Sequence, residues 1–149
     1  MPIDPSFVGR TYPPTAPYEV GREKIREFAD AVGAAHPAHR DPAVAQALGH
    51  RDVFAPPTFP VVLTIGTSGS QVFDDPDLGI DFSRLVHGDQ RFRYTRPVYA
   101  GDRLVCVCTI EDITHRAGND FLVTRTELAT ETGEQVVTVW SKLVVRGEQ

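Results

Sequence analysis

The sequence predicts an α+β fold, a long antiparallel sheet wrapped around a central helix, and three observations lead there. The second half holds four runs rich in β-branched and aromatic residues, 85–98, 102–114, 120–131 and 134–145, separated by the turn-forming stretches YAGD, HRAGN and TG. The middle, RDVFAPPTFPVVLTIGTSGSQVF, reads as a helix with apolar side chains in most directions. The first half offers short helices and carries most of the twelve prolines. Helices followed by consecutive strands argue for a helical layer on one face of a curved sheet, here a meander.

From Val20 to Val32, the residues Ile25, Phe28, Ala29 and Val32 recur at the spacing of one helical face, with Lys24, Arg26 and Glu27 elsewhere. Asp41 before Pro42 is a helix start: a side-chain oxygen able to cap, then a residue with pre-set φ and no N–H to leave unpaired. Gly49 can close that helix. After Ala55-Pro56-Pro57, Thr58 can cap the central helix. Burying six of its apolar side chains would contribute roughly 9–18 kcal/mol as an upper bound, which only a surrounding sheet can supply. Gly66 and Gly69 cost helix propensity, as expected where another backbone approaches closely.

The 149 residues, 41% of them hydrophobic, suit a single domain over 1–149. A net charge of −5 gives no basic surface for nucleic acid or anionic membranes, so neither is an expected partner. No apolar run is long enough to cross a bilayer and MPIDPSFVGR lacks the pattern of a secretory signal, so a cytoplasmic location is expected. Cys106 and Cys108 share one strand face and read as buried thiols, not a disulfide or metal pair.

Against this background, the stretch GAAHPAH at 33–39 is similar to the G-D-x-N-P-x-H motif of the MaoC-like hydratase/dehydratase family of hotdog proteins. Gly33, Pro37 and His39 match; Ala34 stands for the aspartate and His36 for the asparagine. The family's histidine-glycine pair at the start of the central helix corresponds to Ala55-Pro56-Pro57-Thr58. VGRTYPPTAPYEVGREKIREFADAVG, APPTF and VHGDQRFRYTRPVYAGDRL resemble more closely the branch containing the non-catalytic subunit of the actinobacterial two-component (3R)-hydroxyacyl-acyl carrier protein dehydratase. The resemblance implies a single hotdog fold, an acyl thioester of coenzyme A or acyl carrier protein as ligand, and a hotdog partner, identical or catalytic.

Hydration of an enoyl thioester needs a group to activate water, a group to move a proton at the α-carbon, and donors for the charge on the thioester oxygen. The resemblance assigns the first two to Asp and His, of which only His39 is present; losing an acid/base partner typically costs about 10²–10⁴ in rate. The residue aligned with the oxyanion glycine is Pro57, which has no N–H. The chain therefore reads as an acyl-thioester-binding subunit whose own chemistry is largely lost, with His39 its residual catalytic candidate and His36, Pro56, Pro57, Thr58, Phe59 and Asp89 as substrate-binding candidates.

Each residue also has a plainer reading. His39 can be a surface histidine before the Asp41 cap. His36 can take over as base and Thr58 can offer its hydroxyl or N–H; with His39 acting beside His36 or Asp89, the chain is instead a self-sufficient homodimeric (R)-specific enoyl-CoA hydratase. A third reading is a non-enzymatic acyl-CoA-binding module. His36 and His39 lack a further ligand at suitable spacing, so no metal is expected, and no cofactor. Asp89 reads more simply as a buried turn or strand-start carboxylate held by backbone N–H groups, and His87 likewise as structural. Asp102 and Gly101 read as turn chemistry and Trp140 as core or interface. Arg84, Arg91, Arg93 and Arg96 can meet phosphates or an acidic protein face, or form a solvated strand face.

Overall fold

The computed structural model describes residues 2–148. Five antiparallel strands form one sheet in the order β1-β3-β4-β5-β2: β1 is Tyr18–Glu19, β2 Leu85–Tyr94, β3 Arg103–Arg116, β4 Asn119–Thr130 and β5 Gln135–Val145. The alternation along β3 and β4 places Leu104, Cys106, Cys108 and Ile110, with Leu122, Thr124, Thr126 and Leu128, on the inner face, all buried. The two thiols are free and buried as expected, and burial pushes that of Cys106 up to about 12.

The four long strands lie where the sequence places them, but they do not form a simple meander. Only β3, β4 and β5 pair in succession; β2 pairs with β5, Leu85 facing Val145 and Tyr94 facing Val137. YAGD is thus a crossing loop instead of a hairpin turn, with Gly101 at φ +92°. The stretch HRAGN does make a tight hairpin, with Ala117 and Gly118 both in the left-handed region. The edge of β3 is covered by the N-terminal segment, through Gly9, Tyr12 and Thr15 amides bonded to Ile110, Cys108 and Cys106 carbonyls, and by β1. β2 is the opposite edge, bonded on one side only among the described residues.

Helix α1 spans Arg22–Ala31 and buries Ile25 and Ala29, while Val32, read as part of that stripe, is half exposed beyond its end. Helix α2, Pro42–Ala47, starts as predicted, the Asp41 side chain accepting from the Ala43 N–H. The central helix departs from expectation. It begins at Val61 after Pro60, without a cap from Thr58, and divides at Thr67 into α3, Val61–Gly66, and α4, Ser68–Phe73. Thr67 Oγ1 donates to the Leu63 carbonyl at 2.8 Å, a back-bond that bends helices. Gly69 is required there, because a Cβ would collide with the Thr64 carbonyl oxygen, whereas Gly66 has open space.

Nor is that helix enclosed all round. Leu63 and Val72 are buried in two separate core clusters, but Ile65 is 59% exposed. The first cluster joins Ile25, Phe59, Leu63, Leu104, Leu128 and Val139; the second joins Ile3, Val72, Leu78, Ile110, Leu122 and Leu143. Among the described residues, no helix is long and apolar enough to cross a membrane.

Candidate functional site

The loop after α1 is shaped by its own backbone needs. Gly33 turns the chain at φ +73°, the Ala34 N–H donates to the Ala29 carbonyl, and a short 3-10 helix covers Pro37–His39. Arg40 clamps the loop: Nη1 donates to the carbonyls of Ala34 at 2.9 Å and His36 at 3.1 Å, and Nη2 donates to Asp30 Oδ1 at 2.6 Å. The same contact holds the Asp30 carboxyl below its ordinary range.

His39 is buried, 7% exposed, which removes its reading as a surface histidine. Its Nδ1 lies 2.7 Å from the Phe54 carbonyl oxygen. A carbonyl only accepts, so the ring proton sits on Nδ1 and Nε2 carries the lone pair. Among the described residues, no carboxylate bonds to this imidazole, and Ala34 has none to offer. His36 stands edge to face with it, ring centroids 6.4 Å apart. Its Nδ1 accepts the Ala38 N–H at 3.0 Å, so the neutral ring is protonated on Nε2. That corrects the reading of His36 as a substitute base: it is an exposed cap on the 3-10 helix.

Phe54 leads directly into Ala55-Pro56-Pro57-Thr58. Ala55 is fixed by its N–H on the Val98 carbonyl at 2.8 Å. Pro57 is fixed by its carbonyl, which accepts from the Tyr94 hydroxyl at 2.5 Å. Burial pushes the Tyr94 phenol well above its ordinary value, keeping it a donor. Pro57 and Thr58 are exposed, and the Thr58 N–H donates to nothing among the described residues. Pro56 is buried, and Phe59, expected to meet substrate, is wholly buried against Phe28, centroids 5.5 Å apart. In this chain it is a core residue.

Asp89 is not near this loop. It is exposed on β2, after the register shift between His87 and Asp89, and shares a cleft on the outer sheet face with Arg91, Glu111, Trp140 and Lys142. A buried carboxylate held by backbone amides is therefore the wrong description. Trp140 also faces outward, half-buried, with Arg91 over its ring at 4.2 Å and Arg93 at 5.4 Å. Arg96 does not join them: it is bidentate to Asp102, at 2.9 and 3.0 Å, and bonds Glu134. His87 bonds Gln90 at 2.8 Å.

Sequence reasoning missed the supporting residues. Phe54 lies between two imidazoles, His39 at 4.8 Å and His50 at 4.4 Å between centroids. His50 Nδ1 is 2.8 Å from the Tyr99 hydroxyl. The Tyr99 N–H donates to buried Asp102, which also takes Arg51 at 2.6 Å and Arg96. The turn reading of Asp102 and Gly101 holds, and extends to anchoring Tyr99, which makes an isolated antiparallel bridge with Phe54.

Among the described residues, the arrangement presents one imidazole lone pair, one free amide and no acid. Residues 6–139 match the family model described as FAS1-like, dehydratase domain region. A UPF0336 protein of Streptomyces coelicolor is 61% identical over 149 residues, covering 100% of this chain and 99% of that one. Another, from Thermobifida fusca, is 53% identical over 148 residues, covering 99% and 97%. Among solved structures, the C-terminally truncated HadBC (3R-hydroxyacyl-ACP dehydratase) complex of Mycobacterium tuberculosis has a chain with TM-score 0.82 and 36% identity, 93% of this chain covering 96% of that one. A MaoC-like dehydratase aligns at TM-score 0.86 and 33% identity over 95% of this chain and 43% of its own. The fold is that of these hotdog proteins.

Proposed function

Because this chain belongs to the FAS1-like dehydratase-region family of hotdog proteins, we propose that it is an acyl-thioester-binding subunit, catalytically silent by itself, that works with a catalytic hotdog partner in (3R)-hydroxyacyl-thioester dehydration. The observation that carries the reading is the environment of His39. Its imidazole is oriented by the Phe54 carbonyl, with a methyl group at position 34 and a nitrogen without hydrogen at position 57. One lone pair can take a proton but cannot by itself also activate water and steady the thioester oxygen.

The partner is supported by the open edge of β2, ten residues long. A long unpaired edge is a template for another strand. Phe82, just before the strand, is 69% exposed, and Val86, on it, is 41% exposed. The reading also draws on a likeness: one solved relative is described as a HadBC complex.

A second reading has one observation in its favour, the Nε2 lone pair of His39, which suits a general base in a self-sufficient hydratase. The purified chain assayed for crotonyl-CoA hydration, alone and after co-expression with the product of the adjacent gene, separates the two. Turnover only with the partner supports the silent subunit; turnover by the chain alone, abolished by His39→Ala, supports the hydratase. Tight acyl-CoA binding with no partner effect is the outcome for a plain binding module.

A further inference from the structure

We propose that a cleft at the far end of the sheet binds a phosphate dianion through His115, Arg84 and Arg146. The cleft is bounded by the N-terminal segment, the β3–β4 hairpin and the residues after β5, and its lining includes Ile3, Arg84, His115, Asp120 and Arg146.

Its fixed point is Asp120, 7% exposed, whose Oδ1 accepts from His115 Nδ1 at 2.8 Å and whose Oδ2 accepts the Ile3 N–H at 3.2 Å. A carboxylate holding Nδ1–H orients the ring and balances its charge when it is protonated. Nε2 is left as the free nitrogen, with no hydrogen bond among the described residues.

The two arginines are placed by backbone. The Arg146 N–H donates to the Arg84 carbonyl at 3.0 Å, and its Nε lies 3.4 Å from the same oxygen, so the two side chains leave the chain side by side. Among the described residues, Arg146 has no acidic partner. Arg84 uses Nε on Asp81 at 3.1 Å, and its other acid is Glu148, 4.0 Å from Nη1 on a side chain 89% exposed. Of the two acids lining the cleft, Asp120 is already engaged, and Glu148 is the one an incoming anion displaces. Two guanidinium groups, with the His115 Nε2 able to donate whenever the ring carries its second proton, match the several acceptors of a tetrahedral dianion.

This cleft is separate from the His39 loop. β3 runs from Arg103, next to Asp102, to Arg116 over 14 residues. At the usual rise that is on the order of 43 Å of strand, beyond one small ligand. The phosphate can come free or as the terminal monoester of a larger molecule.

The test titrates inorganic phosphate into the full chain while the His115 imidazole resonances are followed by NMR, with chloride at equal ionic strength as reference. The expected result is a saturable shift that Arg146→Gln, at an exposed position, weakens about tenfold. His115→Gln removes phosphate binding measured by calorimetry. Adenosine 3′-phosphate is run in parallel: tighter binding assigns the site to a phosphomonoester, equal binding to the free ion. A His115 signal that moves no more with phosphate than with chloride, or that responds identically in Arg146→Gln, overturns the proposal.

Discussion

The imidazole of His39 donates its Nδ1 proton to the backbone carbonyl of Phe54, at 2.7 Å, and to no side chain. A backbone carbonyl fixes the tautomer and the ring plane, as a carboxylate would, but adds no charge and shares no proton. The histidine is thereby held in place without an acid beside it.

Restoring the missing groups should show which losses matter. Ala34→Asp alone supplies an acid but no oxyanion donor, and Pro57→Gly alone supplies the N–H but no acid. Each single variant is expected to stay inactive on crotonyl-CoA, and the double variant to gain about 10² or more over either. Activity from Ala34→Asp alone would mean that the Thr58 amide already serves the oxyanion.

Arg40→Ala should loosen the His39 loop. It removes three charge-assisted hydrogen bonds, two of them to loop carbonyls, on a side chain 28% exposed. A loss of about 1–2 kcal/mol in chemical denaturation is expected, with faster amide exchange over residues 34–38.

The two helix glycines should answer alanine with opposite signs. Gly66→Ala meets open space and should stabilise by about 0.4–1 kcal/mol. Gly69→Ala drives a Cβ into the Thr64 carbonyl, a backbone atom that cannot swing aside, and should cost about 1–3 kcal/mol. Thermal unfolding of both variants checks the pair.

These glycines also mark what was legible in the sequence. Close backbone approach at Gly69 was readable because propensity argued against a glycine there, but the break at Thr67 depends on a back-bond no pattern announces. The cap at Asp41 and the alternation in β3 and β4 came through because both are local. The pairing of β2 with β5 did not, since the partners are far apart in sequence (Tyr94 with Val137, Leu85 with Val145) and adjacency in sequence favours β3. His39 was legible as a histidine in a motif. Its partner was not, because a backbone carbonyl has no signature, and Arg40, Tyr99 and Asp102 act through contacts made only on folding.

Acid should weaken the clip between the N-terminal segment and the end of α4. Burial alone would push the Asp75 carboxyl up, but hydrogen bonds from Tyr12 at 2.6 Å and Arg10 at 2.8 Å together hold it below its ordinary value. A carboxyl lowered on folding contributes stability present above the unfolded value, about 3.9, and lost as pH falls through the folded one. Denaturation from pH 5 downward should therefore show a shallower acid decline in Asp75→Asn than in the parent chain.

The most direct measurement is steady-state hydration of crotonyl-CoA by the purified chain, compared with the same amount of chain co-purified with its catalytic partner. The account predicts turnover at background for the chain alone and clear turnover for the pair. Substantial turnover by the chain alone, eliminated by His39→Ala in a variant that remains folded, would contradict it.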